Sequence, residues 1–206
     1  MLPVELSSPL LRLDAPRPDD AERVFVHCQD PVMPRYLARL PSPYRLEDAT
    51  DFVSGYVPAA WAGDQEYTWA VRGPDSPELL GVISLSAPAR PDAAAQSATR
   101  GPARTSSIGF WLGAAHRGQG LMVEAERLVL DWGFGTGLCD TVHWECVAGN
   151  LASARAARKA GFRYTGQGPA GIAYRDGTHP LSWMGALHAA DDRTPTAGWP
   201  AEVVGT

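Results

Sequence analysis

Two glycines one residue apart stand between a predicted strand and a predicted helix, in the stretch AHRGQG (115–120). Glycine loses more backbone entropy on folding than any other residue, so such a pair indicates a backbone conformation that other residues rarely adopt. At the start of a helix, this kind of turn leaves backbone N–H groups free beside the positive end of the helix dipole. The chemistry that the pattern favours is the binding of an anion, above all a phosphate.

The residues around the glycines narrow the choice of ligand. A Walker P-loop ends in Gly-Lys-Ser/Thr, whereas Gly120 is followed by Leu121 and Met122, so that motif is absent. A dinucleotide-binding fingerprint needs a third glycine where this chain has Val123, and the preceding strand belongs to a predicted antiparallel run, which disfavours it. A glycine-stabilised turn without a ligand stays open as an alternative.

The elements that must position this turn form a βαβα unit. The strand SSIGFWLG (106–113) precedes the turn, and the helix LMVEAERLVLDWGF (121–134) follows it with an apolar stripe at helical spacing. A second strand, DTVHWECVA (140–148), leads into a helix, NLASARAARKAGF (150–162), for which Asn150 is the expected N-cap.

The rest of the chain predicts a mixed fold. Ahead of the unit, the patterns indicate a strand at 10–15, helices at 19–30 and 46–63, and a hairpin within 67–87. Behind it, closing strands are expected around the turn RDGT (175–178). Residues 88–105 are expected to be an irregular connection, and residues 189–206 a disordered tail. The fold class is therefore α/β (α+β), around a largely antiparallel sheet.

Composition excludes several classes of protein. The chain has 206 residues and a formal charge of −5, with no dense Lys/Arg run, so nucleic acid is not expected as a partner. No apolar stretch has the length of a signal or of a membrane span, which predicts a soluble, cytoplasmic protein without a membrane partner. The three cysteines (Cys28, Cys139, Cys146) form no CxxC pair and are expected to be reduced.

Three motifs in order resemble the GCN5-related N-acetyltransferase (GNAT) superfamily. AHRGQG resembles its [Q/R]-x-x-G-x-[G/A] turn, with Ala115 where a glutamine or arginine often stands. GNLASARAARKAGF (149–162) resembles the N-x-x-S…K-x-G-F helix of the RimJ/RimL-like branch, which acetylates ribosomal-protein alanine. SPLLRLDAPRPDDAERVF (8–25) and YRLEDATDFV (44–53) resemble the opening elements of that branch. The resemblance covers residues 8–188, as one N-acetyltransferase domain.

The resemblance implies a GNAT fold in which helices flank a mixed sheet that splays between its fourth and fifth strands, SSIGFWLG and DTVHWECVA. Acetyl-CoA, the implied co-substrate, would lie in that gap without a metal. Its pantetheine arm would pair with Phe110, Trp111 and Leu112, one of whose amides would hold the thioester carbonyl. Asn150 would contact the pantetheine amides. The pyrophosphate of acetyl-CoA would contact the backbone amides of Arg117, Gly118, Gln119, Gly120, Leu121 and Met122. The Arg117 side chain either adds a contact to a phosphate or is solvated.

The implied reaction is direct attack of an amine on the thioester. An α-amine (pKa about 8) loses its proton more readily than a lysine (about 10.4), by roughly 3 kcal/mol, and a base acting through a water would help. Many relatives carry a Glu where this chain has Ser106-Ser107, and an Asp where it has Leu181. Glu145 is therefore the candidate base, and Ser153 the candidate donor to the departing thiolate, besides being a cofactor contact.

Other assignments stay open. His116, His143 and His179 are alternative bases, and Tyr36 and Tyr44 are candidates for the acceptor pocket. The expected acceptor is a protein N-terminal α-amine or a small cationic amine. The alternative to an enzyme is a non-catalytic CoA-binding sensor, and a homodimer is common in the branch.

Overall fold

A computed structural model describes residues 1–88 and 104–205. The expected irregular connection of residues 88–105 lies almost wholly outside the described residues. The strands are β1 (Leu6–Ser7), β2 (Arg12–Asp14), β3 (Glu66–Arg72), β4 (Leu79–Ser86), β5 (Thr105–Leu112), β6 (Thr141–Val147), β7 (Arg163–Pro169) and β8 (Leu181–His188). The helices are α1 (Ala21–Cys28), α2 (Met33–Tyr36), α3 (Leu46–Asp51), α4 (Val57–Ala62), α5 (Leu121–Gly135), α6 (Leu151–Ala160) and α7 (Ala201–Val204).

All eight of these strands form a single sheet in the order β1-β2-β3-β4-β5-β6-β8-β7. Within the described residues, β5 and β6 are parallel neighbours, and every other neighbouring pair is antiparallel. The predicted mixed, mostly antiparallel sheet is confirmed, as is the hairpin of β3 and β4. The parallel pair arises because α5 connects β5 to β6 as a crossover.

Helices cover both faces of the sheet. Trp69 and Val71 of β3 belong to a large buried cluster that also contains residues of α5 and α6, whereas Ala70 between them belongs to a smaller cluster with residues of α1 and α3. Successive side chains of a strand point to opposite faces, so β3 is buried on both sides. The result is a three-layer arrangement of helices, sheet and helices. One helical layer contains α5 and α6, and the predicted glycine turn leads into α5.

The predicted helix of residues 46–63 forms, but with a wider turn in its middle. Residues Phe52–Tyr56 make a π-helical turn between α3 and α4, in which the Val57 N–H donates to the carbonyl of Phe52. Pro58 follows directly, and its ring lacks an N–H and clashes with the carbonyl four residues earlier. The proline therefore accounts for the local change of helical period.

A buried ion-pair cluster ties the N-terminal elements together. Arg72 of β3 is fully buried; its Nε donates to Asp14 at 2.6 Å, and its Nη atoms donate to both carboxylate oxygens of Asp20 at 2.8 and 2.6 Å. Because Asp14 ends β2 and Asp20 precedes α1, one guanidinium fixes a strand and a helix against β3.

Residues 189–205 do not form the disordered tail that their composition suggested. Trp199 and Val203 are buried and belong to the large core cluster, and α7 packs on α6. The prediction was wrong because two large apolar side chains, four residues apart, are buried in the core and order a segment of mostly small and polar residues. The RDGT turn lies at the tip of the β7–β8 connection, where the Tyr174 N–H donates to the Thr178 carbonyl at 2.8 Å.

No helix in residues 1–88 or 104–205 combines the length and the apolar character that crossing a membrane requires.

Candidate functional site

The sheet opens between β5 and β6. Their parallel pairing runs from Thr105 opposite Thr141 to Ile108 opposite Trp144 and, in the described chain, goes no further. Beyond it, β5 continues along β4 as far as Leu112, and β6 continues along β8 as far as Val147. The splay predicted from the resemblance is therefore confirmed, and it leaves one backbone edge of β5 without a strand partner.

A cavity of about 490 Å³ occupies this opening. Its lining includes the predicted pantetheine contacts Phe110, Trp111 and Leu112 from β5, and Asn150 and Ser153 at the start of α6. Of the predicted pyrophosphate contacts, those that line the cavity are Arg117, Gly118, Gly120, Leu121 and Met122.

Gln119 is the exception among the predicted cofactor contacts. It is exposed and does not line the cavity, and its side-chain Nε2 donates to the Ala115 carbonyl at 3.1 Å. This hydrogen bond closes the glycine turn on itself, so the Gln119 side chain stabilises the turn from outside the cavity.

The glycine turn is held open at the start of α5. Gly118 and Gly120 have φ angles of 76° and 78°, in the left-handed region that favours glycine, and a Cβ added to either would meet nothing within 4 Å. Gly120 is the N-cap of α5 and supplies no side-chain acceptor, so the first N–H groups of the helix are uncapped by it. Uncapped amides at the positive end of a helix beside free space suit an anion such as a pyrophosphate.

Arg117 is committed to contacts within the protein. Its Nε donates to the Leu112 carbonyl at 2.9 Å, and its Nη1 lies 2.8 Å from Asp30. The Val32 N–H and the Arg117 guanidinium hold the pKa of Asp30 below its usual range, against the opposing effect of desolvation. The Arg117 side chain is therefore not the solvated loop arginine of the second alternative. A phosphate would have to compete with Asp30 for its guanidinium group.

The start of α6 has the predicted cap. Asn150 Oδ1 accepts a hydrogen bond from the Ser153 N–H at 3.3 Å. The Ser153 hydroxyl oxygen in turn accepts from the indole Nε1 of Trp144 at 3.1 Å. Trp144 lines the cavity and is a site residue that the sequence analysis missed, because no local pattern joins a strand tryptophan to a serine nine residues later.

Cys146 also lines the cavity but is not a nucleophile at neutral pH. Burial raises the pKa of its thiol to about 12, assisted by the nearby Glu145 carboxylate and opposed by a hydrogen bond with Ser153. A thiol with this pKa stays protonated, whereas covalent catalysis needs the thiolate. The arrangement therefore favours a reaction without a covalent enzyme adduct.

Glu145 lies at the opening, as its candidate role requires. It lines the cavity, and its two carboxylate oxygens accept from the Gly171 N–H at 3.0 and 3.2 Å. The alternative bases His116, His143 and His179 do not line the cavity. Among the candidate bases, Glu145 is thus the one that the fold brings to Ser153 and the glycine turn.

The two predicted acceptor tyrosines have different positions. Tyr36 lines the cavity beside Val32 and Leu37. Tyr44 does not, and this prediction was wrong: it packs against the smaller core cluster, where burial and the neighbouring Cys28 raise the pKa of its hydroxyl. Tyr44 is therefore half-buried against that cluster and away from the cavity.

Tyr174, in the β7–β8 connection, contacts the cavity residue Tyr36 but does not itself line the cavity. Its hydroxyl donates to the Tyr36 carbonyl at 3.3 Å, and burial raises its pKa, with Glu145 and Cys146 adding to the effect. The contact joins the end of α2 to a loop residue 138 positions later, so sequence periodicity carries no signal of it. Its one signal is an aromatic residue in an otherwise polar turn.

The match of this chain to a family model shows which family it belongs to. Residues 11–163 match the model described as an acetyltransferase (GNAT) domain. The chain belongs to the GNAT acetyltransferase family. The matched region contains β5, the glycine turn, β6 and α6, and it ends where β7 begins.

A curated relative agrees with this family. The chain is 33% identical over 103 residues to the probable N-acetyltransferase YjcK of Bacillus subtilis (strain 168), an alignment that covers 50% of this chain and 51% of YjcK. The chain thus spans about half the length of the curated relative it matches.

The solved structures share the GNAT fold with this chain at low identity. The microcin C7 self-immunity acetyltransferase MccE, in complex with acetyl-CoA and AMP, aligns with a TM-score of 0.69 at 17% identity, over 88% of this chain and 93% of MccE. RimL, a ribosomal L7/L12 α-N-protein acetyltransferase, aligns with a TM-score of 0.69 at 19% identity, over 91% and 96% of the two chains.

Proposed function

We propose that this protein transfers an acetyl group from acetyl-CoA to a primary amine. The observation that carries the proposal is the cavity at the parting of β5 and β6, which reaches the uncapped N-terminus of α5. Membership of the GNAT family supports it, as does MccE, a protein of the same fold in complex with acetyl-CoA.

The residues present fit acetyl-CoA. The amides after Gly118 and Gly120 would hold the pyrophosphate, since both positions leave the space around the backbone open. The unpartnered edge at Phe110–Leu112 would pair with the pantetheine arm, and Asn150 has amide N–H groups left over from its cap. When bound, acetyl-CoA supplies the acyl group as an activated thioester.

The protein's own groups would then handle the protons. Glu145 lies at the opening with free lone pairs beyond its contact with Gly171, and it would take the proton of the incoming ammonium directly or through a water. Ser153, whose oxygen already accepts from Trp144, has its hydroxyl proton free to donate to the departing sulfur. Holding both substrates in one cavity lowers the entropic part of the barrier.

The acceptor end of the cavity favours an amine. Tyr36 and Glu145 line it, and the Tyr174 hydroxyl, from outside the lining, donates to the Tyr36 carbonyl. RimL, named for acetylating an α-amine of a ribosomal protein, has the same fold, and a small cationic amine would meet the same groups. Both acceptors belong to the proposal. A cytoplasmic location for the protein and its assembly as a homodimer stay predictions.

The test is thiol release from acetyl-CoA with a panel of peptides that have free N-termini and of small diamines. Wild-type protein should release thiol with at least one acceptor, and Glu145→Gln should lower kcat by about 10²-fold or more, because Gln still accepts from Gly171 but takes no proton. Glu22→Gln, on the exposed side of α1, is the matched control and should keep wild-type rates. Binding of acetyl-CoA without turnover of any amine would favour the non-catalytic sensor.

A further inference from the structure

The C-terminal segment, defined here as residues 189–205, lies outside the region that matches the family model and yet packs against the cofactor helix α6. Trp199 is 6% exposed, and its ring centroid lies 5.5 Å from that of Trp144 and 5.6 Å from that of Tyr164. The segment therefore reaches the back of the wall that lines the cavity.

Further contacts anchor the segment on both helices of this face. Arg193 Nη1 lies 2.6 Å from Asp131 of α5, and its backbone passes so close to Gly161 that a Cβ there would come within 2.5 Å of the Arg193 Cα. At its other end, Arg155 of α6 donates to the carbonyls of Glu202 and Gly205 at 3.0 and 3.1 Å. The position of Trp199 is thus fixed from both sides.

Trp144 connects Trp199 to the cavity. Its side chain is 2% exposed and packs on Trp199, and its Nε1 donates to the Ser153 hydroxyl. An indole N–H is a donor without an acceptor, so this bond leaves the hydroxyl proton of Ser153 to point elsewhere.

We propose that Trp144 is a positioning residue that orients the Ser153 hydroxyl towards the sulfur of coenzyme A, and that Trp199 holds Trp144 in that position. The proposal rests on the proposed function, because Ser153 needs an orientation only if a thiol leaves beside it. The C-terminal segment then contributes to the cofactor site by holding Trp144 in position.

The first experiment compares two ligands that differ in one atom. Coenzyme A and desulfo-CoA are titrated by calorimetry into wild type, Trp144→Phe and Ser153→Ala. Trp144→Phe should weaken coenzyme A by about three- to tenfold, the range of one hydrogen bond, and leave desulfo-CoA unchanged. In the Ser153→Ala background, Trp144→Phe should have no further effect. Trp132→Phe, in another aromatic cluster, is the control and should bind both ligands as wild type does.

The second experiment tests the support from Trp199. Trp199→Phe keeps an aromatic ring against Trp144 and should bind coenzyme A as wild type does, whereas Trp199→Ala should show the same sulfur-specific loss as Trp144→Phe. A urea transition for each variant identifies any that fails to fold. If Trp199→Ala unfolds, the comparison passes to Trp199→Leu, which keeps apolar volume without a ring.

A third measurement needs no ligand and separates this proposal from the proposed function. Hydrogen exchange of the Trp144 indole N–H, followed by NMR, should be faster in Ser153→Ala and in Trp199→Ala than in wild type. Equal losses for the two ligands, additive effects in the double variant, or unchanged indole exchange would each overturn the positioning role. Failure of wild type to bind either ligand would instead overturn the proposed function. The indole exchange would still show whether Trp144 donates to Ser153 and whether Trp199 supports that hydrogen bond.

Discussion

Asn150 and Ser153 share one hydrogen bond that starts α6: the Asn150 Oδ1 accepts from the Ser153 N–H at 3.3 Å. The same two residues line the cavity. A single local pattern, an asparagine three residues before a serine, thus serves the helix and the candidate site together. Because the cap uses only the carbonyl oxygen of the amide, substitution separates the two roles.

Asn150→Asp should keep the stability of the protein and weaken its affinity for coenzyme A. A carboxylate still caps the helix, so the free energy of unfolding in urea should stay within about 0.5 kcal/mol of wild type. It lacks the amide N–H groups and adds a negative charge, so calorimetry should show coenzyme A binding at least about tenfold weaker. Asn150→Ala should lose about 1 kcal/mol of stability as well. Wild-type affinity in Asn150→Asp would reduce this residue to a cap.

Gly120→Asp should weaken coenzyme A by at least about tenfold, because it places a negative charge at the N-terminus of α5 where the pyrophosphate is proposed to bind. Gly120→Asn has nearly the same shape and tolerance of positive φ without the charge, so it should bind more tightly than Gly120→Asp. Gly177→Asp introduces the same charge at a positive φ in the exposed RDGT turn and should leave affinity unchanged. Equal affinities of Gly120→Asp and Gly120→Asn in calorimetry would contradict the anion cradle.

The parts of the site that the sequence predicts are those with a local signal. Gly118 and Gly120 are identified by their spacing, and Asn150 by its place before an amphipathic helix, since turns and caps depend on residues a few positions apart. Trp199 and Tyr174 carry no such signal. Their partners, the cavity residues Trp144 and Tyr36, are distant in sequence, and only the fold brings each pair into contact.

The opposite error occurs for Tyr44. The sequence made it a candidate for the acceptor pocket, but its ring packs against the smaller core cluster, which contains residues of α1 and α3. The composition of residues 189–205 was also misleading, because two buried side chains order a segment made mostly of small and polar residues.

Arg72→Met should lower the free energy of unfolding by about 3–5 kcal/mol, measured in urea. The substitution leaves the Asp20 carboxylate, which is 6% exposed, buried without its guanidinium partner, and it leaves Asp14, which is 7% exposed, with the more exposed Arg12 and Arg17. Arg23→Met is the matched control: its ion pair with Glu78 has side chains that are 44% and 39% exposed, so its loss should cost less than about 1 kcal/mol. Similar losses for the two variants would contradict the role of the buried cluster.

Glu126 is a buried acid in the middle of α5. It is fully buried, and neither carboxylate oxygen has a hydrogen-bond partner among the described residues. Burial raises the pKa of Glu126 well above its usual range, with Arg127 opposing the shift weakly. The folded protein therefore holds a proton on this side chain at pH values where the unfolded chain has released it.

Glu126→Gln should remove a pH dependence from the stability of the protein. Between the ordinary pKa of a glutamate and the raised pKa of Glu126, the folded state binds the extra proton, so the free energy of unfolding falls as pH rises, by up to about 1.4 kcal/mol per unit. Urea transitions from about pH 5 to about pH 8 should show wild type losing stability relative to Glu126→Gln as pH increases. Glu22→Gln, at an exposed position, should run parallel to wild type over the same range. If wild type and Glu126→Gln also run parallel, Glu126 is ionised in the folded protein and has a partner.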